Sequence, residues 1–327
     1  MRRREFITLI GGAATWPLGA QAQTPAANMP VVTVINGRRA DVALTAEFRK
    51  GLGQTGLTED KDVVVEYHWL EGHYQDTPAI LSDAIRRHVA VIATPANSPG
   101  TLAAKAATST IPIVFGVGED PVALGLVASL AQPGGNTTGI NFFASEIDAK
   151  RLGLMRELLP KAKRLAVLVN PANPSTEEAT TKALKEAAPR LGLELLFFKA
   201  SIPADIDAAF AAIANANTDG LFVAPDAFFA GRGAQLITLT ARDRIPTSVF
   251  SGDLVAAGLL MSYGTSLADV FRQVGVYTGS IVKGAKPADL PVLQSTKFEL
   301  TLNLQTARSL GIDIPPTLLA RADDVIE

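Results

Sequence analysis

The sequence predicts an α/β protein made of two doubly wound, parallel-sheet lobes that a multi-strand hinge joins. Three observations support this fold class. Short apolar runs rich in β-branched residues alternate with helical patterns, a turn-forming cluster at 132–136 interrupts them, and the alternation then restarts. Alternating strands and helices favour a parallel sheet with helices on both faces. The restart indicates a second unit of similar size.

The first unit contains a strand that is apolar on both faces at 31–35, as expected for the interior of a parallel sheet. The helix at 77–88 has an apolar stripe that includes Ile80 and Leu81. The predicted strands are 31–35, 62–69, 89–93, 111–115 and 138–142, and the predicted helices are 41–54, 77–88 and 99–108.

The second unit follows the same pattern and then continues into further elements. Its predicted helices are 146–159, 175–191, 204–214 and 231–242, and its predicted strands are 164–169, 193–198, 220–224 and 247–250. A strand at 259–263, a helix at 267–283 and a last segment at 298–327 with one more strand and small helices come after them. These extra elements indicate that the chain crosses between the lobes more than once. We predict one lobe from 30–141 with about 264–289, and the other from 142–262 with about 290–327.

The first 22 residues have the layout of a cleaved export signal. A basic start precedes an apolar stretch at 6–18, and Ala20-Gln21-Ala22 is a small-residue cleavage site. Arg3-Arg4-Glu5-Phe6-Ile7 is typical of the twin-arginine signal of bacteria, and a general secretory signal is the alternative. Both place the mature protein in the periplasm. The apolar stretch is shorter than the about 20 residues that a membrane-spanning helix needs.

Composition narrows the function classes. The formal net charge is −2 and becomes about −4 without the signal, which disfavours nucleic acid and anionic membrane surfaces as partners. The chain has no cysteine, which excludes disulfides, thiolate nucleophiles and cysteine-ligated metals. About 300 mature residues suit two domains that each bury a core. We expect a monomer.

Candidate binding residues lie in the loops after the predicted strands, because open α/β sheets bind ligands beyond the carboxyl ends of their strands. These loops are rich in Asn, Asp, Thr and Ser and lead into helices, whose first amides bind carboxylates well. Thr94 and Ser98 offer hydroxyls, and Asp226 is a candidate partner for a ligand ammonium. The loops are 36–39, 94–98, 116–120, 170–173, 225–229 and 251–253.

Each of these residues also has a structural interpretation. Asp120 before Pro121 is a typical helix cap, and Asn173 is another candidate cap. Arg38 can be solvated rather than ligand-binding. The aromatic pair at 228–229 fits either stacking on a ligand or packing inside the second lobe. The convergence of several such loops on one side of the sheets is the stronger indication of a site.

Signatures of catalysis and of cofactor binding are missing. No Gly-x-Gly-x-x-Gly opens the first helix, and neither a phosphate-binding Gly-Lys-Ser/Thr loop nor a Gly-x-Ser-x-Gly nucleophile motif occurs. His68 and His73 do not have a metal-ligand spacing. We therefore expect no catalytic residues, no metal and no cofactor.

Motifs spread over nearly the whole chain resemble the substrate-binding protein family of ABC transporters that includes the tryptophan-binding proteins. Each motif is modest by itself, and their order along the chain is specific. They are ATSTIPIVF at 107–115, DPV at 120–122, QPGGN at 132–136, VNPANP at 169–174, LMSYG at 260–264, KGAKPADLP at 283–291, TKFEL at 296–300 and LARAD at 319–323.

The resemblance implies a type I periplasmic-binding-protein fold, in which two α/β lobes joined by three strands close on a small molecule and deliver it to a membrane permease without catalysis. Ligands in the family are amino acids, often aromatic. The resemblance implies that Thr94 and the Ala96 and Asn97 amides bind the ligand carboxylate and that Asp226 binds the ammonium. It also places Asn170 and Tyr263 at matching cleft positions. The full set of predicted ligand-binding residues is Asn36, Arg38, Thr94, Ala96, Asn97, Asp120, Asn170, Asp226 and Tyr263.

The sequence departs from the family in the first-lobe loops. Asn36-Gly37-Arg38-Arg39 stands where many relatives have small hydroxyl residues, and Pro95 and Asn97 give the next loop an unusual form. These differences leave the ligand open. We expect a periplasmic receptor of an ABC importer for an amino acid or a similar small carboxylate. The alternatives are an exported two-lobe α/β enzyme and a ligand sensor for a membrane kinase.

Overall fold

The computed structural model describes residues 29–142 and 144–327. The predicted export signal at 1–22 lies outside the described residues. Within them, no helix has both the length and the apolar character that crossing a membrane requires.

The described strands fall into two sheets. They are β1 (Val31–Asn36), β2 (Val64–Trp69), β3 (Val91–Thr94), β4 (Ile113–Val117), β5 (Thr137–Asn141), β6 (Arg164–Val169), β7 (Glu194–Lys199), β8 (Gly220–Val223), β9 (Thr247–Val249), β10 (Met261–Thr265), β11 (Leu293–Gln294), β12 (Phe298–Asn303) and β13 (Asp324–Ile326). The first sheet has the order β11-β5-β4-β3-β1-β2 and the second the order β13-β12-β10-β9-β8-β6-β7. All neighbouring pairs are parallel except β10 and β12.

Helices cover both sheets. They are α1 (Val42–Gln54), α2 (Thr77–Arg86), α3 (Ser98–Ala107), α4 (Ala144–Leu158), α5 (Pro174–Leu191), α6 (Pro203–Asn215), α7 (Ala227–Gly231), α8 (Gly233–Asp243), α9 (Gly252–Ala256), α10 (Leu267–Val282), α11 (Leu304–Leu310) and α12 (Pro316–Leu319), with 3-10 turns at Tyr74–Asp76 and Pro287–Asp289. The predicted helix at 231–242 corresponds to α8, and the short helix α7 before it was not predicted.

Each sheet has an apolar core on both of its faces. In the first lobe, β1 residues Val32 and Val34 pack with Val270 and Phe271 of α10, all fully or almost fully buried. In the second lobe, Val167 and Leu168 are adjacent on β6 and belong to the cores on opposite faces. This two-sided burial explains the continuous apolar runs that predicted the parallel sheets.

Two glycines allow α10 to lie directly against α1. A Cβ atom at Gly51 would stand 2.0 Å from the carbonyl oxygen of Arg272, and one at Gly275 would stand 2.2 Å from that of Phe48. Because carbon and oxygen atoms cannot approach so closely, only glycine permits this backbone contact. It attaches α10, which follows a second-lobe strand in the chain, to the first lobe.

The chain passes between the lobes three times. It leaves the first sheet after β5, returns between β10 and α10, and leaves again after β11. The predicted boundary near 290 is too early, because Leu293 and Gln294 still pair with Ile140 and Asn141 of β5. Both residues of β11 are exposed, so no hydrophobic pattern marked this strand in the sequence.

Candidate functional site

A cavity of about 80 Å³ lies between the lobes, where the loops after strands of the two sheets meet. The first lobe contributes the loops after β1, β3 and β4, and the second lobe contributes the loops after β6 and β8. Its lining residues are Arg38, Tyr74, Ala96, Asn97, Ser98, Pro99, Gly118, Glu119, Phe142, Asn173, Thr176, Pro225, Asp226, Ala227, Phe250 and Leu267. The convergence of strand-end loops that the sequence predicted is present here.

Asp226 provides a buried carboxylate on the second-lobe side of the cavity. It follows β8 and caps α7, because its Oδ1 accepts a hydrogen bond from the Phe228 amide at 2.8 Å. Oδ1 also accepts from Asn170 Nδ2, and Oδ2 accepts from Asn173 Nδ2, each at 2.9 Å. Burial raises the pKa of Asp226, and the hydrogen bonds from the amide side chains oppose that shift. The residue is thus held in one orientation by donors from two loops.

The loop after β3 forms the first-lobe side. Asn97 is the N-cap of α3, since its Oδ1 accepts from the Gly100 amide at 3.0 Å, and its Nδ2 donates to the Ile35 carbonyl at 3.2 Å. Ala96 has a φ of +51°, in the left-handed region that non-glycine residues rarely adopt. This conformation turns the chain sharply from β3 into α3 at the cavity wall.

Two of the predicted residues support this loop rather than line the cavity. Thr94 is fully buried, and its hydroxyl is within 2.8 Å of the Thr101 hydroxyl on α3. Asn36 is fully buried, donates from Nδ2 to the Pro95 carbonyl, and accepts from the Arg38 amide at 2.8 Å. Both side chains are engaged within the first lobe.

Arg38 brings a cation to the cavity, and its side chain is only 10% exposed. Its guanidinium donates to Asp253 Oδ2 of the second lobe at 3.1 Å. The interpretation of Arg38 as a solvated residue is therefore wrong. The arginine lines the cleft and bridges the lobes at its rim.

Two further hydrogen bonds connect the lobes across the cavity. Tyr74 donates its hydroxyl to Asp226 Oδ2 at 3.3 Å. Glu119, which is 6% exposed, accepts from Ser98 Oγ of its own lobe at 2.6 Å and from Thr176 Oγ1 of the other lobe at 2.5 Å. The cavity thus has one arginine and two buried carboxylates, one from each lobe.

A smaller, mainly apolar cavity of about 50 Å³ adjoins the first. Phe142, Pro225, Phe250 and Leu267 line both cavities, so the two are contiguous. The remaining residues of the second cavity are Ile147, Asp148, Gly264 and Thr265. The site therefore combines a charged part with an apolar extension.

Besides Thr94 and Asn36, three more of the predicted ligand-binding residues do not line the cavity. Asp120 is exposed and accepts from the Val122 amide at 2.8 Å, so it caps the turn while its neighbour Glu119 faces the cleft. Tyr263 packs in the core of the second lobe, where Lys150 Nζ donates to its hydroxyl at 2.5 Å. Asn170 lies behind Asp226 and supports it without lining the cavity.

The remaining sequence candidates also have structural roles. Phe228 and Phe229 are buried in the second-lobe core at 4% and 0% exposure, which favours the packing interpretation. Among residues 29–142 and 144–327, no group of three or more His, Asp or Glu side chains has the arrangement of a metal site.

Three residues of the cavity wall were not among those predicted from the sequence: Tyr74, Glu119 and Thr176. Tyr74 lies in a 3-10 turn, and Thr176 lies in the first turn of α5, so neither occupies the position directly after a strand. Asn173 was interpreted as a cap, and its Nδ2 instead donates to Asp226. Glu119 lies beside Asp120 in the loop after β4, and this position was the only indication of its role. The sequence alone does not show which of the two adjacent carboxylates faces the cleft.

Comparison with known proteins identifies relatives of the whole described chain. A family model for "ABC transporter substrate binding protein" matches residues 29–326. The tyrosine-binding protein of Clostridioides difficile (strain R20291) is 26% identical over 269 residues, which cover 81% of this chain and 75% of that protein.

Two solved structures share the fold over nearly their full length. A conserved domain protein from Vibrio cholerae is 29% identical with a TM-score of 0.82, and an ABC domain from Streptococcus pneumonia in complex with L-Trp is 22% identical with a TM-score of 0.79. Each alignment covers 91% of this chain and 99% of the other. The predicted fold class is confirmed, since the two α/β lobes have the type I periplasmic-binding-protein architecture. The match over residues 29–326 shows that this chain belongs to the family of ABC transporter substrate-binding proteins.

Proposed function

We propose that this protein binds an amino acid with an aromatic side chain between its lobes and delivers it to the permease of an ABC importer. One observation carries the proposal: a single interlobe cavity contains groups complementary to both charges of an α-amino acid. Arg38 and the start of α3 suit the carboxylate, and the Asp226 and Glu119 carboxylates suit the ammonium. The proposal assigns no catalysis and no cofactor to the cleft.

The carboxylate end of the ligand is assigned to the first lobe. Residues 96–98 lead into α3, whose N-terminal amides and dipole favour a negative group. Arg38 provides two N–H donors in a planar fork, which matches a carboxylate. Thr94 and Asn36 hold this loop in place.

The ammonium is assigned to Asp226. Its Oδ2 accepts a hydrogen bond from Asn173 and a long one of 3.3 Å from Tyr74, so a ligand ammonium can replace the Tyr74 bond with a shorter one. An ammonium there would also compensate the buried negative charge, which burial otherwise penalises.

The ligand side chain is assigned to the apolar extension. Phe142, Phe250 and Leu267 offer it apolar contacts. The two cavities are about 80 and 50 Å³, each smaller than the roughly 150 Å³ of a protein cavity that binds benzene, so in this proposal the lobes separate to admit an aromatic ligand. Contacts of the ligand with both lobes would then favour the closed form by population shift.

The relatives support this choice of ligand class. The Clostridioides difficile relative is named a tyrosine-binding protein, and the Streptococcus structure contains L-Trp. The export signal at 1–22 supports a periplasmic location, and the family supports a permease as partner. Action as a monomer and the twin-arginine route are part of the same proposal.

The test is titration calorimetry and thermal shift on the purified protein with the set of L-amino acids. Matched probes are L-tyrosine, tyramine, which lacks the carboxylate, and 3-(4-hydroxyphenyl)propionate, which lacks the ammonium. We expect tight binding of aromatic L-amino acids only. A ligand at a hundred times its Kd adds about 2.7 kcal/mol to the free energy of unfolding. Equal binding of the three probes, or no binding of any L-amino acid at millimolar concentration, would refute the proposal.

A further inference from the structure

The apolar extension of the cleft contains one charged residue among those that line it. Its other lining residues are Phe142, Ile147, Pro225, Phe250, Gly264, Thr265 and Leu267, and the charged residue is Asp148. The Asp148 side chain is 1% exposed. A carboxylate beside a small apolar cavity is costly to bury, so its partners need to be identified.

Asp148 belongs to a rigid buried cluster on the second lobe. Arg151, three residues later on α4, donates from Nη2 to Asp148 Oδ1 at 3.1 Å, and Thr180 of α5 donates its hydroxyl to Oδ2 at 2.7 Å. Arg151 is itself fixed, because Nη2 also donates to the Val223 carbonyl at 2.9 Å and the guanidinium lies 3.8 Å from the Phe222 ring centre. The carboxylate therefore has little freedom to move.

The cluster leaves acceptor capacity on Asp148. Each carboxylate oxygen can accept two hydrogen bonds, and each has one donor among the described contacts. Burial raises the pKa of Asp148 to about 6 against the opposing effect of Arg151, so the group is mainly ionised at neutral pH and acts as an acceptor. The wall of the apolar extension therefore includes a residue with a fixed, charged acceptor group.

A purely structural ion pair is the competing explanation. A buried pair of this kind adds little stability, because apolar residues of similar volume are often as stable. Here the pair also leaves Arg151 Nε and Nη1 without hydrogen-bond partners in the described structure. Stability alone is thus a weak reason for placing these charges beside the ligand cavity.

Resting on the proposed function, we propose that Asp148 determines specificity by accepting a hydrogen bond from the ligand side chain. The matching donors are the phenol O–H of tyrosine and the indole N–H of tryptophan. Phenylalanine fills the same apolar walls but offers no donor. The site therefore selects aromatic amino acids that carry a side-chain donor.

The first test needs no variant. Calorimetry on the purified protein compares L-tyrosine with L-phenylalanine and 4-fluoro-L-phenylalanine, which resemble it in size and lack the donor. We expect tyrosine to bind at least about tenfold more tightly than both, as for a hydrogen bond to a charged group. Affinities within threefold of one another would overturn the inference.

The second test removes the charges together, because Asp148→Asn alone would leave Arg151 buried without its counter-ion. In the double variant Asp148→Leu/Arg151→Met, tyrosine affinity should fall to that of 4-fluorophenylalanine, whose own affinity stays unchanged. If the charged pair has only a structural role, the affinities for both ligands should change equally, and that result would overturn the inference. The control is Asp83→Leu/Arg86→Met, an exposed pair with the same i,i+3 spacing on α2, which should change neither affinity.

The two proposals fail differently. Binding of aromatic amino acids without preference for a donor refutes the role of Asp148 and leaves the proposed function standing. Absence of binding by any amino acid refutes the proposed function itself.

Discussion

Asp226→Asn removes one negative charge from the cleft and keeps the shape of the side chain. In the structure, four donors point at the carboxylate: the Asn170 and Asn173 side chains, the Phe228 amide and the Tyr74 hydroxyl. An asparagine whose oxygen stays at the Oδ1 position still accepts the hydrogen bonds from Asn170 and from the Phe228 backbone amide. Its NH2 group then faces Asn173, which must turn its own amide and give up a 3.3 Å bond from Ser175.

The cost to folding is modest. One imperfectly paired buried group costs about 1–3 kcal/mol. Part of this is offset because the raised pKa of Asp226 shows that its charged form is penalised by burial, and a neutral amide avoids that penalty. We therefore expect the free energy of unfolding to fall by less than about 2 kcal/mol.

The cost to binding is larger. A hydrogen bond to a charged partner contributes about 1.5–3 kcal/mol, and each 1.4 kcal/mol is a factor of ten. L-tyrosine should therefore bind about 10- to 150-fold more weakly to Asp226→Asn. Calorimetry gives the affinity, and denaturant unfolding gives the stability of the same preparations.

A ligand analogue isolates the ammonium contact. 3-(4-hydroxyphenyl)propionate lacks the amine, so Asp226→Asn should not weaken its binding, and the loss of the carboxylate's charge should improve it if anything. The control is Asp207→Asn, an exposed second-lobe carboxylate that removes the same charge and should change stability by no more than about 0.5 kcal/mol. Equal loss of affinity for both ligands, or no loss for tyrosine in a folded variant, would refute the ammonium assignment.

Three further predictions concern packing, closure and pH. Gly51→Ala should lower the free energy of unfolding by about 1–3 kcal/mol, because the added methyl group would overpack the contact with α10. The control is Gly53→Ala in the same helix, which has open space around it and should be neutral or stabilising. Equal denaturation midpoints of the two variants would contradict this. Thr176→Val removes the cross-lobe donor to Glu119, so small-angle scattering should show more open molecules and ligand affinity should fall by up to about tenfold, with Thr176→Ser as the control. Tyrosine affinity should fall as the pH is lowered through the raised pKa of Asp226, because only its ionised form pairs with an ammonium, and a flat profile would contradict this pairing.

Regular elements were predictable where burial leaves a pattern. The strands at the centre of each sheet are apolar on both faces, and Asp41 and Gly192 mark the start of α1 and the end of α5 as a cap and a left-handed terminator. The exposed two-residue strand β11 has no such pattern, since its position depends on pairing with β5 across the chain.

The site was predictable only in part, for a related reason. Asp226 and Asn97 each lie three residues after the end of a strand, so the rule for strand ends identifies them. Tyr263 lies within β10, which contacts both α4 and α9, and its side chain packs in the core with α4 residues instead of lining the cleft. Position in the sequence near a strand end does not reveal this. Glu119 and Thr176 meet only because the lobes are juxtaposed, which no local pattern encodes.

The cross-lobe contacts link binding to closure because they use the same groups that are assigned to the ligand. Asp226 is bonded to Tyr74 of the opposite lobe, and Arg38 reaches Asp253, whose side chain is 56% exposed. An ion pair with such exposure contributes about 0–1 kcal/mol, so the Arg38–Asp253 bridge holds the lobes together only weakly. An amino acid would replace the long Tyr74 bond with a charged one and add contacts to both lobes. Such contacts can shift the equilibrium between open and closed forms by a few kcal/mol, so ligand binding would determine which form predominates.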